Sequence, residues 1–316
     1  MSGRPISFGV TLPHRWTYAS PQTIAEIARE AEALGYSSVW VTDHIVVPVH
    51  RPERGHIFYE ALMTLAYVSA ITERVRLGTT VLIASARHPV LLAKQLATLD
   101  VLSRGRLIVG VGTGWIPEEL EALGVPWAER GRRLDEAIQV MRTLWASSGP
   151  VSFEGRYVRF RDMLFEPRPI QIGGPPIWVG GMTDPSLRRA ARWGDGWLPW
   201  AVAPEELAWK AERIRSWRNG RPLTIGLFLP ADVGRRSLTE YIGAVGERHV
   251  VLSGMEEEVR EQIARYCEAG CEHLILSFRD VRLFRDDRVD LLREQMRWFA
   301  REVMPTFRPP ATDRGS

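Results

Sequence analysis

The sequence predicts an α/β fold, a single (β/α)8 TIM barrel with insertions at the carboxyl-end face. Three observations carry this. A complete strand–helix–strand unit lies between Val75 and Val111. Short apolar runs alternate with stretches of helical periodicity along the chain, enough for eight strand–helix pairs. The length, 316 residues, suits one α/β barrel with insertions as well as it suits two average domains.

The central unit starts with Val75 to Ile83, an apolar run rich in β-branched residues. Val90, Leu91, Ala93, Leu96, Ala97, Leu99 and Leu102 then recur at spacings of three and four, which marks one face of a helix. Ser103-Arg104-Gly105 stops that helix, and Arg106 to Val111 is a second buried strand. Two strands joined by a helix must run parallel with a right-handed crossover. Gly112-Thr113-Gly114 therefore falls at a strand's carboxyl end, where barrels keep their ligands.

Taken in order, Ile6 to Leu12 reads as the first strand, and Pro13 to Trp16 as the loop leaving it. Ser20 and Pro21 start the first helix, whose apolar face ends at Gly35. Ser38 to Thr42 is the second strand and runs into Asp43-His44. A long loop, Ile45 to Phe58, follows, then a helix from Tyr59 to Thr72. After Trp115 come a short helix (Pro117 to Leu123) and a long amphipathic one (Arg130 to Trp145). Residues 147–176 read as an insertion over the barrel mouth, with alternating residues and a Glu154-Gly155 turn. Strands at Ile177 to Val179, Gly194 to Leu198, Leu223 to Phe228 and His273 to Ser277 complete the eight. Helices are expected at Ser186 to Trp193, Pro204 to Arg218, Glu256 to Ala269 and Asp287 to Val303. Pro230 to Val251 reads as irregular apart from a helix near Leu238 to Val245. The barrel is expected to span 1–307, with 308–316 a mobile tail.

A content of 45% hydrophobic and 25% charged residues is that of a soluble globular protein. No apolar run approaches the ~18 residues of a membrane span, and the first strand begins without a signal peptide. Cys267 and Cys271 lack other clustered ligands and read as reduced, packed thiols of a cytoplasmic protein. A net charge of +3, with arginines scattered over helix surfaces, argues against a nucleic-acid partner and suits an anionic small molecule. There is no His-Glu-x-x-His, Gly-x-Ser-x-Gly or phosphate-binding Walker loop, so those metal and nucleophile chemistries are not expected.

Asp43 and His44 are the leading candidates for chemistry. Polar residues at the carboxyl end of a buried barrel strand read as catalytic, and imidazole moves protons near neutral pH. The alternative is a loop cap with a satisfied histidine. Gly112, Thr113 and Gly114 would let backbone approach a cofactor, although a tight turn also explains the glycines. Gly181, Met182 and Thr183 precede a helix, and amides there can hold a phosphate without any lysine. His14, Trp16, His56, Trp115 and Trp200 are candidates for the substrate pocket, with packing as the alternative. Arg51, Arg54 and Arg87 follow the second and third strands, where they could favour an anionic cofactor tail.

The ordered string Leu-Gly-Thr-Thr-Val-Leu (77–82), Arg87-His88-Pro89, Leu99-Asp100, Ser103-x-Gly-Arg106 and Gly110-x-Gly-x-Gly114 resembles the luciferase-like monooxygenase superfamily. Within it, the branch using coenzyme F420 is the nearer match. The resemblance covers most of the chain and weakens in about 147–176 and 229–250. It implies an F420-dependent oxidoreductase passing hydride to or from a small organic substrate, and by family habit a homodimer. An FMN-dependent monooxygenase and a cofactor-free binding protein are the rival readings. The resemblance also implies that Asp43 contacts the cofactor and that His44 lies at its reacting face. It places a non-prolyl cis peptide at Thr80-Val81 behind the ring. Trp115 stands where the F420-dependent glucose-6-phosphate dehydrogenases carry a catalytic glutamate, which speaks against a sugar-phosphate substrate.

Overall fold

Parallel strands covered by helices on their outer side read as near-continuous apolar runs, as Leu107–Gly112 and Ile177–Gly180 do here. The computed structural model describes residues 6–50, 57–242, 246–281 and 288–307. Its first half runs β1 (Ser7–Thr11), α1 (Pro21–Leu34), β2 (Ser38–Val41), α2 (Ala61–Ser69) and β3 (Arg76–Thr79) with a short continuation β4 (Leu82–Ile83). Then come α3 (Pro89–Leu102), β5 (Leu107–Gly112), α4 (Pro117–Ala122), α5 (Arg130–Ala146) and a hairpin of β6 (Val151–Glu154) and β7 (Arg159–Met163). The second half has β8 (Ile177–Gly180), α6 (Asp184–Trp193), β9 (Gly196–Leu198), α7 (Pro204–Ser216) and β10 (Thr224–Val233). It finishes with β11 (Glu240–Ile242), β12 (Arg248–Val250), β13 (Leu252–Gly254), α8 (Glu256–Glu268), β14 (His273–Phe278), α9 (Val289–Glu302) and α10 (Met304–Phe307).

Eight strands pair in parallel around a closed ring, in the order β1, β2, β3, β5, β8, β9, β10, β14 and back to β1. This is the (β/α)8 barrel expected from the sequence. The helix signals hold as well. Ser20 and Thr23 form a reciprocal cap on α1, and Gly35 ends it at φ 85°, a left-handed geometry that glycine adopts without penalty. No helix among the described residues is long and apolar enough to cross a membrane.

Two of the twelve tryptophans fill the barrel from inside. Trp40 on β2 and Trp178 on β8 meet at 5.5 Å between ring centroids. Glycines on neighbouring strands make room for them. A Cβ on Gly78 would lie 2.2 Å from the Trp40 ring, and one on Gly196 2.5 Å from Trp178. The His273 ring stands edge-on to both indoles. Trp40 Nε1 donates to Ser38 Oγ at 2.7 Å, and that hydroxyl is placed to donate to His273 Nε2, also at 2.7 Å. Burial, with the charge of Arg76, pulls the His273 pKa down to about 3. The imidazole is a neutral packing piece.

Three expectations are corrected. The segment 147–176 does not cover the mouth. Its hairpin lies against α5, where buried Glu136 accepts the amides of Arg156, Tyr157 and Val158 at 2.7 to 2.8 Å. The chain then passes α3, where Asp100 accepts from Gln171, and Gln171 donates to the Leu107 carbonyl at the amino end of β5. The reason is the buried carboxylate of Glu136, which needs donors and finds them in the amides of the hairpin tip. The helix expected near Leu238 to Val245 is also absent in its described part. Glu240–Ile242 is instead a strand, paired antiparallel with β12. Tyr241 and Ile242 suit an extended edge. Strand β10 also continues through Val233, beyond its expected end, and pairs there with β13.

Candidate active site

β2 delivers Asp43 and His44 to the mouth, and each is held by a partner distant in sequence. Asp43 is buried and bound on both oxygens. Oδ2 accepts from the Ile83 amide at 2.8 Å and from Arg87 Nη1 at 2.6 Å, while Oδ1 accepts from Arg87 Nη2 at 3.0 Å. Arg87 also reaches Glu60, the cap of α2, at 3.0 Å. Burial alone would lower the Arg87 pKa, but the charges of Asp43 and Glu60 outweigh it and raise the value. Arg87 is thus the countercharge of Asp43 and not the free cation for an anionic tail that the sequence suggested. Arg51, Arg54 and His56 lie outside the described residues.

His44 Nδ1 meets Glu119 Oε2 at 2.8 Å, and the other oxygen of Glu119 accepts the Ile45 amide at 2.6 Å. The Glu119 side chain is 1% exposed and that of His44 10%. Phe58 and Trp115 stand edge-on to the imidazole, at 5.1 and 6.1 Å between centroids. Among the described residues no hydrogen bond reaches His44 Nε2. Sequence reasoning missed Glu119, although a signal was present. Ile116, Glu119, Leu120 and Leu123 share one face at spacings of three and four, and Ile116 and Leu120 on it are fully buried. A glutamate on that stripe must find a buried donor.

The β3 edge closes the wall beside them. The Thr80 amide donates to the Val41 carbonyl at 2.8 Å, and the Thr80–Val81 peptide is cis. Val81 turns its side chain into the barrel, against Gly112 and Gly180. A Cβ at those positions would lie 2.6 and 2.9 Å from Val81 methyls. The space left by glycine at 112 is therefore occupied by Val81. Ser85 Oγ donates to the Thr113 carbonyl at 2.9 Å, and Gly114, at φ 75°, packs against Ile83 and Leu120. Asp43, His44, Thr80, Val81, Gly112, Thr113 and Gly114 thus form one continuous patch.

Gly181, Met182 and Thr183 lie across the mouth at the start of α6, with Gly181 and Thr183 exposed. Thr183 is extended and makes no side-chain cap. Lys210 on α7 donates to the Met182 carbonyl at 2.9 Å, and Arg213 pairs with Asp184 at 2.7 Å. The sequence reading placed neither cation; Arg213 is compensated by Asp184, and Lys210 pairs with Glu206 at 3.5 Å. The amides at the helix start suit a phosphate.

The pocket candidates divide. His14 is sealed, with Nδ1 donating to the Leu12 carbonyl at 2.9 Å and Nε2 accepting the Thr42 amide at 3.0 Å. Burial, then the neighbouring Arg15, pulls its pKa down to about 4. It ties β1 to β2. Trp16, at φ 73°, lines a narrow crevice with Arg15, Phe278 and Arg279 at the ends of β1 and β14. Trp115 stands against His44. Trp200 packs on Phe228 at 4.3 Å and edge-on to His249, on the opposite rim.

The model of the luciferase-like monooxygenase family matches residues 6–239. An F420-dependent glucose-6-phosphate dehydrogenase from Microbacterium testaceum is 30% identical over an alignment of length 350, which covers 95% of this chain and 99% of that protein. Among solved structures, the monooxygenase RslO1 from Streptomyces bottropensis superposes with a TM-score of 0.79 at 24% identity, covering 96% of this chain and all of that one. The coenzyme F420-dependent tetrahydromethanopterin reductase from Methanopyrus kandleri superposes at 0.75 with 20% identity, again over 96% of this chain and all of the other. At these identities the structures speak for the fold alone.

Proposed function

The chain belongs to the luciferase-like monooxygenase family, and from that premise we propose that it is a coenzyme F420-dependent oxidoreductase acting on a small organic substrate. The observation that carries this reading is the imidazole of His44, held on Nδ1 by a buried carboxylate at 2.8 Å within a patch at the carboxyl end of the barrel. When bound, coenzyme F420 supplies a carbon that accepts or returns a hydride. The protein's task is to hold the ring, exclude water and move one proton. Thr80 and Val81 would back the ring, with Gly112-Thr113-Gly114 supporting Val81 from behind. Asp43 would fix that wall through the Ile83 amide and Arg87, and Gly181, Met182 and Thr183 would hold the phosphate.

For an alcohol–carbonyl pair, oxidation removes a hydride from carbon and a proton from the hydroxyl. His44 Nε2 is the acceptor for that proton and returns it in the reverse direction. Trp115, edge-on to His44, and Trp200 with Phe228 on the far rim favour a flat, weakly polar substrate over a sugar phosphate. The exposed apolar side chains of Met63 and Tyr67 on α2 and Leu91 on α3 support a homodimer, and the free cysteines fit a cytoplasmic location. Denaturing the purified protein and identifying the released chromophore by mass tests the proposal. A deazaflavin with its glutamate tail supports it. FMN, with oxygen consumed during turnover, would place the chain on the monooxygenase side of its family.

A further inference from the structure

Glu119 makes two contacts that together constrain the protonation of His44. Its Oε1 accepts the Ile45 amide at 2.6 Å and its Oε2 meets His44 Nδ1 at 2.8 Å. The carboxylate is 1% exposed, so neither oxygen can exchange its partner for bulk water. An ionised carboxylate only accepts, so the Nδ1 facing it carries the hydrogen and Nε2 is the lone-pair nitrogen. We propose that Glu119 is the positioning residue of this active site, selecting the Nδ1–H tautomer of His44 and thereby making Nε2 the base. This rests on the reading of His44 as the proton acceptor, but its physical core concerns the tautomer and stands apart from the cofactor.

The two contacts also dictate what an amide would do in place of the carboxylate. Glutamine at 119 has one acceptor oxygen and one NH2 donor on the same planar fork. The Ile45 amide is a donor under all conditions, so it takes the oxygen. The NH2 then faces His44 Nδ1, which can receive it only as an acceptor. The ring must move its hydrogen to Nε2, the nitrogen that has to accept the substrate proton. Shape and burial are retained while the polarity of the imidazole is inverted.

The test is the nitrogen NMR spectrum of His44 in wild type and Glu119→Gln, above the titration of the ring and without cofactor. The expected result is an Nδ1–H tautomer in wild type and an Nε2–H tautomer in the variant. In the enzyme loaded with F420, Glu119→Gln is expected to lower kcat for the oxidation at least 10²-fold while KM stays within about threefold. The double variant Glu119→Gln/His44→Ala is expected to match His44→Ala, because residues acting as a unit are not additive. An unchanged tautomer in Glu119→Gln, or a kcat loss that multiplies with that of His44→Ala, overturns the proposal. Should the protein bind no deazaflavin, the proposed function fails, and the tautomer measurement still decides the role of Glu119.

Discussion

Two histidines of this barrel occupy similar surroundings and do different things. His273 lies among the interior strands, edge-on to Trp40 and Trp178, with Nε2 on the Ser38 hydroxyl. His44 lies at the mouth, edge-on to Trp115 and Phe58, with Nδ1 on Glu119. Aromatic edges and one short hydrogen bond are common to both. The difference is the partner and the remaining nitrogen. His273 faces a neutral hydroxyl in full burial and is held uncharged, with its pKa down at about 3. His44 faces a carboxylate that can balance an imidazolium, and its Nε2 is bonded by none of the described residues. Burial with a neutral partner makes a histidine inert, and a carboxylate with one open nitrogen makes it a proton carrier.

The largest expected effect breaks this comparison at the mouth. His44→Ala should lower turnover by about 10²–10⁴-fold with cofactor affinity kept within about threefold; steady-state kinetics and a binding titration check both numbers. Turnover within threefold of wild type would make His44 as structural as His273. The interior is broken by Trp178→Ala, which removes half of the aromatic plug. It should cost about 3–5 kcal/mol in chemical denaturation, with little effect on the turnover of the fraction that remains folded. Arg87→Met strips Asp43 of its buried countercharge and should destabilise by about 3 kcal/mol, and cofactor affinity should fall with it. Equal stability would mean that the pair is dispensable.

A change of pH sharpens the comparison without any substitution. His14 and His273 have folded pKa values near 4 and 3, below the unfolded value of 6.5. The unfolded chain therefore binds protons first, and the stability these sites contribute is full above pH 6.5. It is lost as pH falls from there toward the folded values. Each histidine should remove about 1.4 kcal/mol per pH unit once well below 6.5. Thermal midpoints measured between pH 7 and 5 should fall, and His14→Gln should flatten the slope. A midpoint that is level down to pH 5 would contradict the sealed, neutral histidines.

Much of this was legible in the sequence, for local reasons. A βα series announces itself through apolar runs and helical spacing, and the caps at Ser20 and Gly35 appear where those residues allow them. Asp43-His44 stood out because a polar pair ended a buried strand. Glu119 did not, because it sits among Glu118 and Glu121 in a charged stretch, and only its place on the stripe of Ile116 and Leu120 sets it apart. Its partner lies 75 positions away, a distance no local pattern spans. The same limit hid Lys210 beside Met182 and the pairing of Arg87 with Asp43. The glycines misled in another way. Gly112 looks like a place for a ligand, and its space is filled by Val81, a contact across strands. Around 240, a charged and apolar mixture has too little period to separate a helix from the short hairpin of β11 and β12.

The most direct test of the account is a titration of the apoprotein with oxidised F420 and with FMN under identical conditions. Both molecules carry a phosphate that the start of α6 could hold, so that contact does not separate them. What separates them is the fit of the ring against Val81 and His44, and the path of the tail beyond the phosphate. The account predicts a dissociation constant at least tenfold tighter for the deazaflavin, a difference of about 1.4 kcal/mol. Tighter binding of FMN, or binding of neither, would contradict it.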